Sequence, residues 1–370
     1  MNIGFEAKRV FHNKTGLGNY SRDLIRLLSQ YSSENNYFLY NPKPSDAKLF
    51  EANNTSVFEK KPQSPFYRKF YNVWRQKGVV KDLIKDGVTI FHGLSGEIPS
   101  GLNHTNIKSV VTIHDLIFVK FPDLYSFFDR KIYFYKFNKS AHQANRIIAI
   151  SEQTKADIIQ YLKIDPEKIK VIYQGCHAVF KKEFTESDKK KVVSKYNLPK
   201  EFILNVGTIE TRKNVLLVVK TLHKINICLV IVGKETDYAI EIKNYIQKHN
   251  LEHKVIFLKG LTLEELAILY QLAKIFVYPS LYEGFGIPII EALYSKTPVI
   301  TTQGGVFPEA GGPNSIYIDP TNAIDLEHAI QKLLVDKDLC NKMAEKGFEF
   351  VQKFNDEIIA RQVIDVYKYL

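Results

Sequence analysis

Short apolar runs, each closed by a turn and followed by a segment of helical spacing, recur along almost the whole chain. Residues 2–6 (NIGFE), 36–41, 88–91 (VTIF), 108–113 (KSVVTI), 146–150 (RIIAI) and 169–173 (KVIYQ) read as strands. A second series follows at 202–206 (FILNV), 227–232 (ICLVIV), 255–258 (VIFL), 275–278 (IFVY), 298–300 and 315–318. Apolar runs alternating with helices belong to a parallel, doubly wound α/β sheet. At 370 residues the chain is long for one domain. The stretch 179–200, rich in Lys and Glu and ending in Asn197-Leu198-Pro199, separates the two series. The expected division is therefore a first domain over 1–180 and a second over 181–355.

The most informative stretch is 276–291, FVYPSLYEGFGIPIIE. Pro279 and Ser280 end a buried strand, Glu283-Gly284-Phe285-Gly286 form a Gly-rich turn, and Pro288 suits the first residue of a helix. Amide groups at such a helix start, around Gly286 and Ile287, attract phosphate. The glycines let backbone approach a ligand. Glu283 and Glu291 can accept hydrogen bonds from hydroxyls. Phosphate plus hydroxyls describes a nucleotide sugar. The same residues also fit a plain strand–turn–helix with two solvated glutamates.

Three other strand ends carry chemistry. Gly16 and Gly18 close a loop, 7–18, before a helix expected from about Asn19, a layout that can cradle phosphate or be a simple tight turn. His114 ends the 108–113 strand and would point into a ligand crevice, or serve as a hydrogen-bonded structural histidine. Gly207 opens the turn after 202–206, and Arg212-Lys213 follow at a strand-to-helix junction. They suit phosphate binding, or form a solvated charge pair.

Taken in order, GLGNYSR, THDL, GTIETRKN and YEGFGIPIIEA resemble the motifs of the family-4 retaining glycosyltransferases (the group 1 glycosyltransferases), closest in look to bacterial mannosyltransferases. The resemblance covers nearly the whole chain. It implies the GT-B fold: two doubly wound Rossmann-like domains facing a central cleft, with the last helix, 356–370, packing back on the first domain. It further implies transfer of a hexose from a nucleoside diphosphate sugar with retention at the anomeric carbon. GDP-mannose is favoured over a UDP-sugar, and the acceptor would be a glycan or a lipid-linked glycan in surface polysaccharide synthesis. In the family pattern Glu283 meets sugar hydroxyls, Glu291 holds the ribose, and His114 contacts the donor sugar near the reacting bond. Gly16, Gly18, Gly207, Arg212, Lys213, Gly284, Phe285, Gly286 and Ile287 bind the diphosphate side. Backbone at Leu261 lies near the base. Other readings on this architecture are a nucleotide-sugar epimerase, a sugar phosphorylase, or a two-lobed sugar-binding protein without catalysis.

Composition narrows the partners. Cys176, Cys228 and Cys340 are dispersed, with neither metal-ligand spacing nor a disulfide framework. No Asp-x-Asp stands at a strand end, so no metal is expected, and Arg212 and Lys213 would neutralise the diphosphate. No apolar run approaches the ~18 residues of a membrane span. The start, MNIGFEAKRV, reads as a strand rather than a signal peptide, so a cytoplasmic enzyme is expected. The net charge of +11 is spread out, with a local concentration at 60–85. There Phe66, Tyr67, Phe70, Tyr71 and Trp74 alternate with Lys and Arg. That segment is either a helix on an anionic membrane surface or a helix burying its aromatic stripe in the first domain. Nucleic acid is not an expected partner.

Overall fold

The computed structural model describes residues 1–44, 49–51 and 54–370. They divide into two compact units: Met1–Gln174 with Phe354–Leu370, and Gly175–Lys353.

The first unit is built on seven strands: β1 (Asn2–Glu6), β2 (Asn36–Tyr40), β3 (Val57–Lys60), β4 (Ile90–Gly93), β5 (Lys108–Ile113), β6 (Arg146–Ala149) and β7 (Ile169–Val171). Their spatial order is β3-β2-β1-β4-β5-β6-β7, and every neighbouring pair is parallel. The chain leaves β1 in one direction, then returns to lay β4 on its other side. Alternate side chains of a strand point to opposite faces. Val110 accordingly joins one apolar layer with Ile3, Phe5 and Ile25, and Val111 joins the other with Trp74, Phe91 and Ile147. Both faces are covered by helices, as a parallel sheet requires. The last helix, Asp356–Lys368, buries Ile359, Val363, Ile364 and Tyr367 in the first layer, and Arg26 pairs with Asp356 at 3.0 Å.

The second unit repeats the plan with β8 (Phe202–Val206), β9 (Cys228–Val232), β10 (Val255–Leu258), β11 (Ile275–Tyr278), β12 (Val299–Thr302) and β13 (Ile316–Ile318). The order is β10-β9-β8-β11-β12-β13, again parallel throughout. β8 and β11 are buried along their whole length.

Three expectations are corrected. The helix expected near Asn19 begins at Gly16 and runs to Tyr31, so Gly16 and Gly18 form its first turn rather than a loop. A short helix, Lys8–His12, precedes it. A Cβ on Gly18 would lie 2.0 Å from the Asn13 carbonyl oxygen, so the turn is pressed against the helix start. Arg22 holds that turn by donating to the carbonyls of Val10 and Asn13. Second, β3 was not expected; its apolar residues are too few to stand out. Third, the 60–85 segment is not one helix. It breaks into Pro65–Lys69, Tyr71–Val73, a π-turn Trp74–Gly78 and Val79–Lys85. The break splits the aromatic stripe: Trp74 is buried with its Nε1 donating to Asp82, whereas Phe66 and Phe70 are exposed. Tyr67 lies against Gly78, where a Cβ would sit 2.6 Å from its ring.

Candidate functional site

In an open α/β sheet, ligands bind beyond the carboxyl ends of the strands where the strand order reverses. In the second unit that point lies between β8 and β11. The turns following these two strands are joined by backbone: Leu281 N donates to Arg212 O at 2.8 Å. Asn214, in the left-handed conformation at φ 56°, donates its side-chain amide to the carbonyls of Pro279 and Pro320. On the other flank, Gly207 N donates to Val232 O. A Cβ on Gly233 would lie 1.8 Å from the Gly207 oxygen, so only glycine lets the β8 and β9 turns meet.

This frame gathers the charged residues. Lys213 Nζ lies 2.7 Å and Arg212 Nη1 2.8 Å from Glu283 Oε1. The same oxygen accepts from Ser280 Oγ at 2.5 Å and Tyr278 OH at 3.1 Å. Lys213 also donates to Tyr278 OH at 2.6 Å. Arg212 is bound further by Glu210 at 2.6 Å and by the Tyr282 carbonyl. Burial pushes the Glu283 carboxyl up, but Lys213, Arg212 and the bonds from Lys213 and Ser280 outweigh it and bring it down to about 2. Glu283 is therefore a permanent carboxylate. Burial first, and then the Glu283 charge, hold Tyr278 well above its ordinary value as a neutral phenol.

After Glu283 the chain turns through buried Gly284, Phe285 and Gly286. Gly286 has φ +104°, and the helix Ile287–Tyr294 starts behind it with Pro288 in its first turn. Glu291 is half-buried and accepts from Tyr270 OH at 2.8 Å. Leu261 follows β10, at the edge of the sheet. The structure thus joins Arg212, Lys213 and Glu283 in one contact set beside Gly207, with Gly284 to Ile287 immediately behind. Glu291 lies on the helix that follows, and Leu261 comes after the edge strand β10.

In the first unit the order reverses between β1 and β4. Gly16 and Gly18 start the Gly16–Tyr31 helix, which has no side-chain cap and no acidic residue in its first turn, a favourable end for an anion. His114 is buried past β5. Its Nε2 is 2.9 Å from Leu94 O, and Gln174 Nε2 is 2.9 Å from its Nδ1. A carbonyl only accepts, so Nε2 carries the proton and Nδ1 receives the Gln174 amide. Burial pulls His114 down to about 4, against the opposing effect of the Leu94 bond. Tyr20 packs edge-on to the ring at 4.6 Å, and its hydroxyl reaches Thr112. Thr112 also meets His92 Nε2, whose Nδ1 meets Tyr367 OH at 2.6 Å. Both His114 nitrogens are occupied by neutral groups, so its ring is fixed rather than poised for proton transfer.

Sequence reasoning missed Tyr278, Ser280, Glu210, Asn214 and Gln174. Ser280 stands three residues before Glu283, a spacing that brings a hydroxyl onto a carboxylate in a turn. Glu210 and Tyr278 likewise stand two and five residues from Arg212 and Glu283. Asn214 and Gln174 have no local signal, because their partners lie far away in the chain.

Residues 15–178 match the family described as Glycosyltransferase Family 4, and residues 186–350 match Glycosyl transferases group 1. The chain is a family-4 glycosyltransferase. Its fold is GT-B, two Rossmann-like parallel sheets of seven and six strands. This glycosyltransferase is 32% identical over 229 residues to the O-antigen chain mannosyltransferase RfbU of Salmonella typhimurium; the match spans 61% of each chain, under two thirds of that relative's length. It is 26% identical to the O-antigen chain mannosyltransferase B of Escherichia coli along the full length of both. Sucrose-phosphate synthase of Thermosynechococcus elongatus shares the fold at a TM-score of 0.81 and 23% identity, over 100% of this chain and 98% of that one.

Proposed function

We propose that this glycosyltransferase moves a hexose, with mannose favoured, from a nucleoside diphosphate sugar to a glycan or lipid-linked glycan in cell-surface polysaccharide synthesis. We place it in the cytoplasm and assign it retention of the anomeric configuration. The observation that carries the reading is the Arg212–Lys213–Glu283 cluster at the β8/β11 switch point. Two cations held by one carboxylate are fixed in place before any ligand arrives. Preorganised positive charge of this kind stabilises a departing diphosphate. Arg212 offers a planar fork and Lys213 a mobile point charge.

Glu283, ionised throughout, is suited to accept hydrogen bonds from sugar hydroxyls. The turn at Gly286 and Ile287 offers amide groups to phosphate, and Gly16 and Gly18 are assigned to the diphosphate as a helix start of the first unit. Glu291 is assigned to the ribose and Leu261 to the base. His114 is assigned a place beside the donor sugar as a neutral, oriented ring. A carboxylate tied to two cations and two hydroxyls is a weak nucleophile, and this favours front-face attack over a covalent glycosyl-enzyme. In that scheme the leaving phosphate takes the acceptor's proton. Charge neutralisation by Arg212 and Lys213 needs no metal. GDP-mannose as donor follows the mannosyltransferases among the relatives.

A thermal-shift screen with GDP, UDP and ADP and their sugars tests the proposal, since a ligand bound to the native state raises its melting point. GDP-mannose should stabilise most, and Lys213→Ala should abolish the shift. Stabilisation by a UDP-sugar alone would move the donor. A shift unchanged in Lys213→Ala would remove the cluster from the donor site. Proton NMR of the first-formed product should show the donor's anomeric configuration.

A further inference from the structure

Tyr270, on the helix Leu263–Leu272 of the second unit, is fully buried and carries one hydroxyl into the interior. Its ring is wedged between two others: Phe180 meets it edge-on at 5.8 Å, and Phe276 lies at 5.2 Å. Its backbone is tied as well. Thr297 Oγ1, just past the helix Ile287–Tyr294, donates to the Tyr270 carbonyl at 2.6 Å. The next residue, Gln271, donates to the Lys182 carbonyl at 2.6 Å. The hydroxyl held by this packing reaches one partner among the described residues, Glu291 Oε2 at 2.8 Å. Burial first, and then the Glu291 charge, hold the phenol well above its ordinary value, so it stays protonated and donates.

Packing alone does not require this hydroxyl, since Phe276 fills the adjoining space without one. Its effect falls on Glu291, which is only half-buried on its helix. A glutamate side chain has several rotatable bonds, the last with a broad torsional profile, and ordering it costs conformational entropy. A bond from an immobile ring selects one rotamer and one carboxylate plane before a ligand arrives. A carboxylate has about four lone-pair directions, so one that holds Tyr270 can still receive two hydroxyls. Two adjacent hydroxyls need both oxygens held in one plane, whereas a single hydroxyl follows a carboxylate that swings.

We propose that Tyr270 is a positioning residue for the donor's ribose: it fixes the Glu291 carboxylate to receive the vicinal 2′- and 3′-hydroxyls together, and so makes the enzyme select a ribonucleoside diphosphate over its dideoxy counterpart. The proposal rests on the assignment of Glu291 to the ribose. It makes no demand on the base or on the sugar transferred.

Calorimetric titration of the full chain with GDP, UDP and ADP, each against its 2′,3′-dideoxy form, tests this. The readout is the ratio of the two Kd values within a pair. The wild type should favour the ribonucleotide by roughly tenfold or more, the scale of a hydrogen bond to a charged group. Tyr270→Phe keeps the ring between Phe180 and Phe276 and leaves the half-exposed Glu291 to water, so the variant should fold. It should cut the ratio by about fivefold or more while the dideoxy Kd moves less than about twofold. Glu291→Ala should bring the ratio to about one, and adding Tyr270→Phe to it should change nothing further. An equal loss of affinity for both nucleotides in Tyr270→Phe would make the residue a packing element and overturn the inference. A ratio kept in Tyr270→Phe but lost in Glu291→Ala would overturn it too, while sparing the role of Glu291. No preference in the wild type, or one that survives Glu291→Ala, would remove Glu291 from the ribose and the inference with it.

Discussion

The two switch points share a topology and differ in how they hold their polar groups. At β8/β11 the buried polar residues are charged. Glu283 is ionised because Arg212 and Lys213 face it, and the cluster is balanced by opposite charges. Beyond β4 and β5 the buried histidines are neutral, beside a separate paired cluster, Glu6–Arg75–Glu97. His114 and His92 are surrounded by a carbonyl, an amide and hydroxyls, and burial drives both away from the imidazolium form. Buried charge is tolerable only when paired, and buried polarity only when bonded.

The largest test breaks the charged end. Glu283→Gln keeps the shape and removes the charge, leaving Arg212 and Lys213 together without their shared partner. Turnover should fall by about 10²–10³-fold. The native state should lose on the order of 3–5 kcal/mol, the scale for breaking a buried pair. Steady-state rates and denaturant melts read both effects, and near-normal turnover would remove the cluster from the reaction.

Acid should separate the two units. His114, near 6.5 unfolded and about 4 folded, is neutral in the native state, so the unfolded chain binds the extra proton first. Stability from this group is full above about 6.5 and lost as pH falls toward about 4, a loss on the order of 3 kcal/mol; His92 extends it to about 3. Glu283 contributes above about 4.5 and loses its contribution only toward about 2. The first unit should therefore weaken at higher pH than the second. The single tryptophan, Trp74, is buried in the first unit and reports on it alone. Hydrogen exchange at β8 and β11 reports on the other. Simultaneous loss at one pH would contradict the contrast.

A smaller effect sharpens it. Gln174→Glu sets a carboxylate against His114 Nδ1 and should raise the histidine above its unfolded value of about 6.5. The pH–rate profile should gain an inflection that the wild type lacks. Stability from the new pair should be full below about 6.5 and fade as pH rises through the raised value. Smallest of all, Ser280→Ala removes one of the donors to Glu283 Oε1. It should cost about 1 kcal/mol in a melt and leave turnover within roughly tenfold of normal.

Most of the strands and helices could be read along the chain, because burial on both faces writes near-continuous apolar runs such as ICLVIV, and glycine and proline mark their ends. The Glu283–Gly286 turn and the helix behind Pro288 were legible for the same reason. The start of the first long helix was not. Gly16 and Gly18 look like loop residues, and only the Asn13 backbone packed on Gly18 explains a glycine inside a helical turn. The 60–85 segment misled because its aromatic spacing describes one helix, while a π-turn at Trp74 rotates the pattern.

Pairing is what the linear chain could not disclose. Composition and local pattern establish two parallel α/β units and the residue types at their strand ends, since these depend on neighbours a few positions away. Which charge meets which was decided by the sheets. β8 and β11 lie side by side, so Glu283 meets Arg212 and Lys213 some seventy residues distant. The chain past β7 returns to the end of β5, so Gln174, sixty residues from His114, donates to its Nδ1. Strand order brings these residues within hydrogen-bond reach, and the low-dielectric interior then fixes their charge.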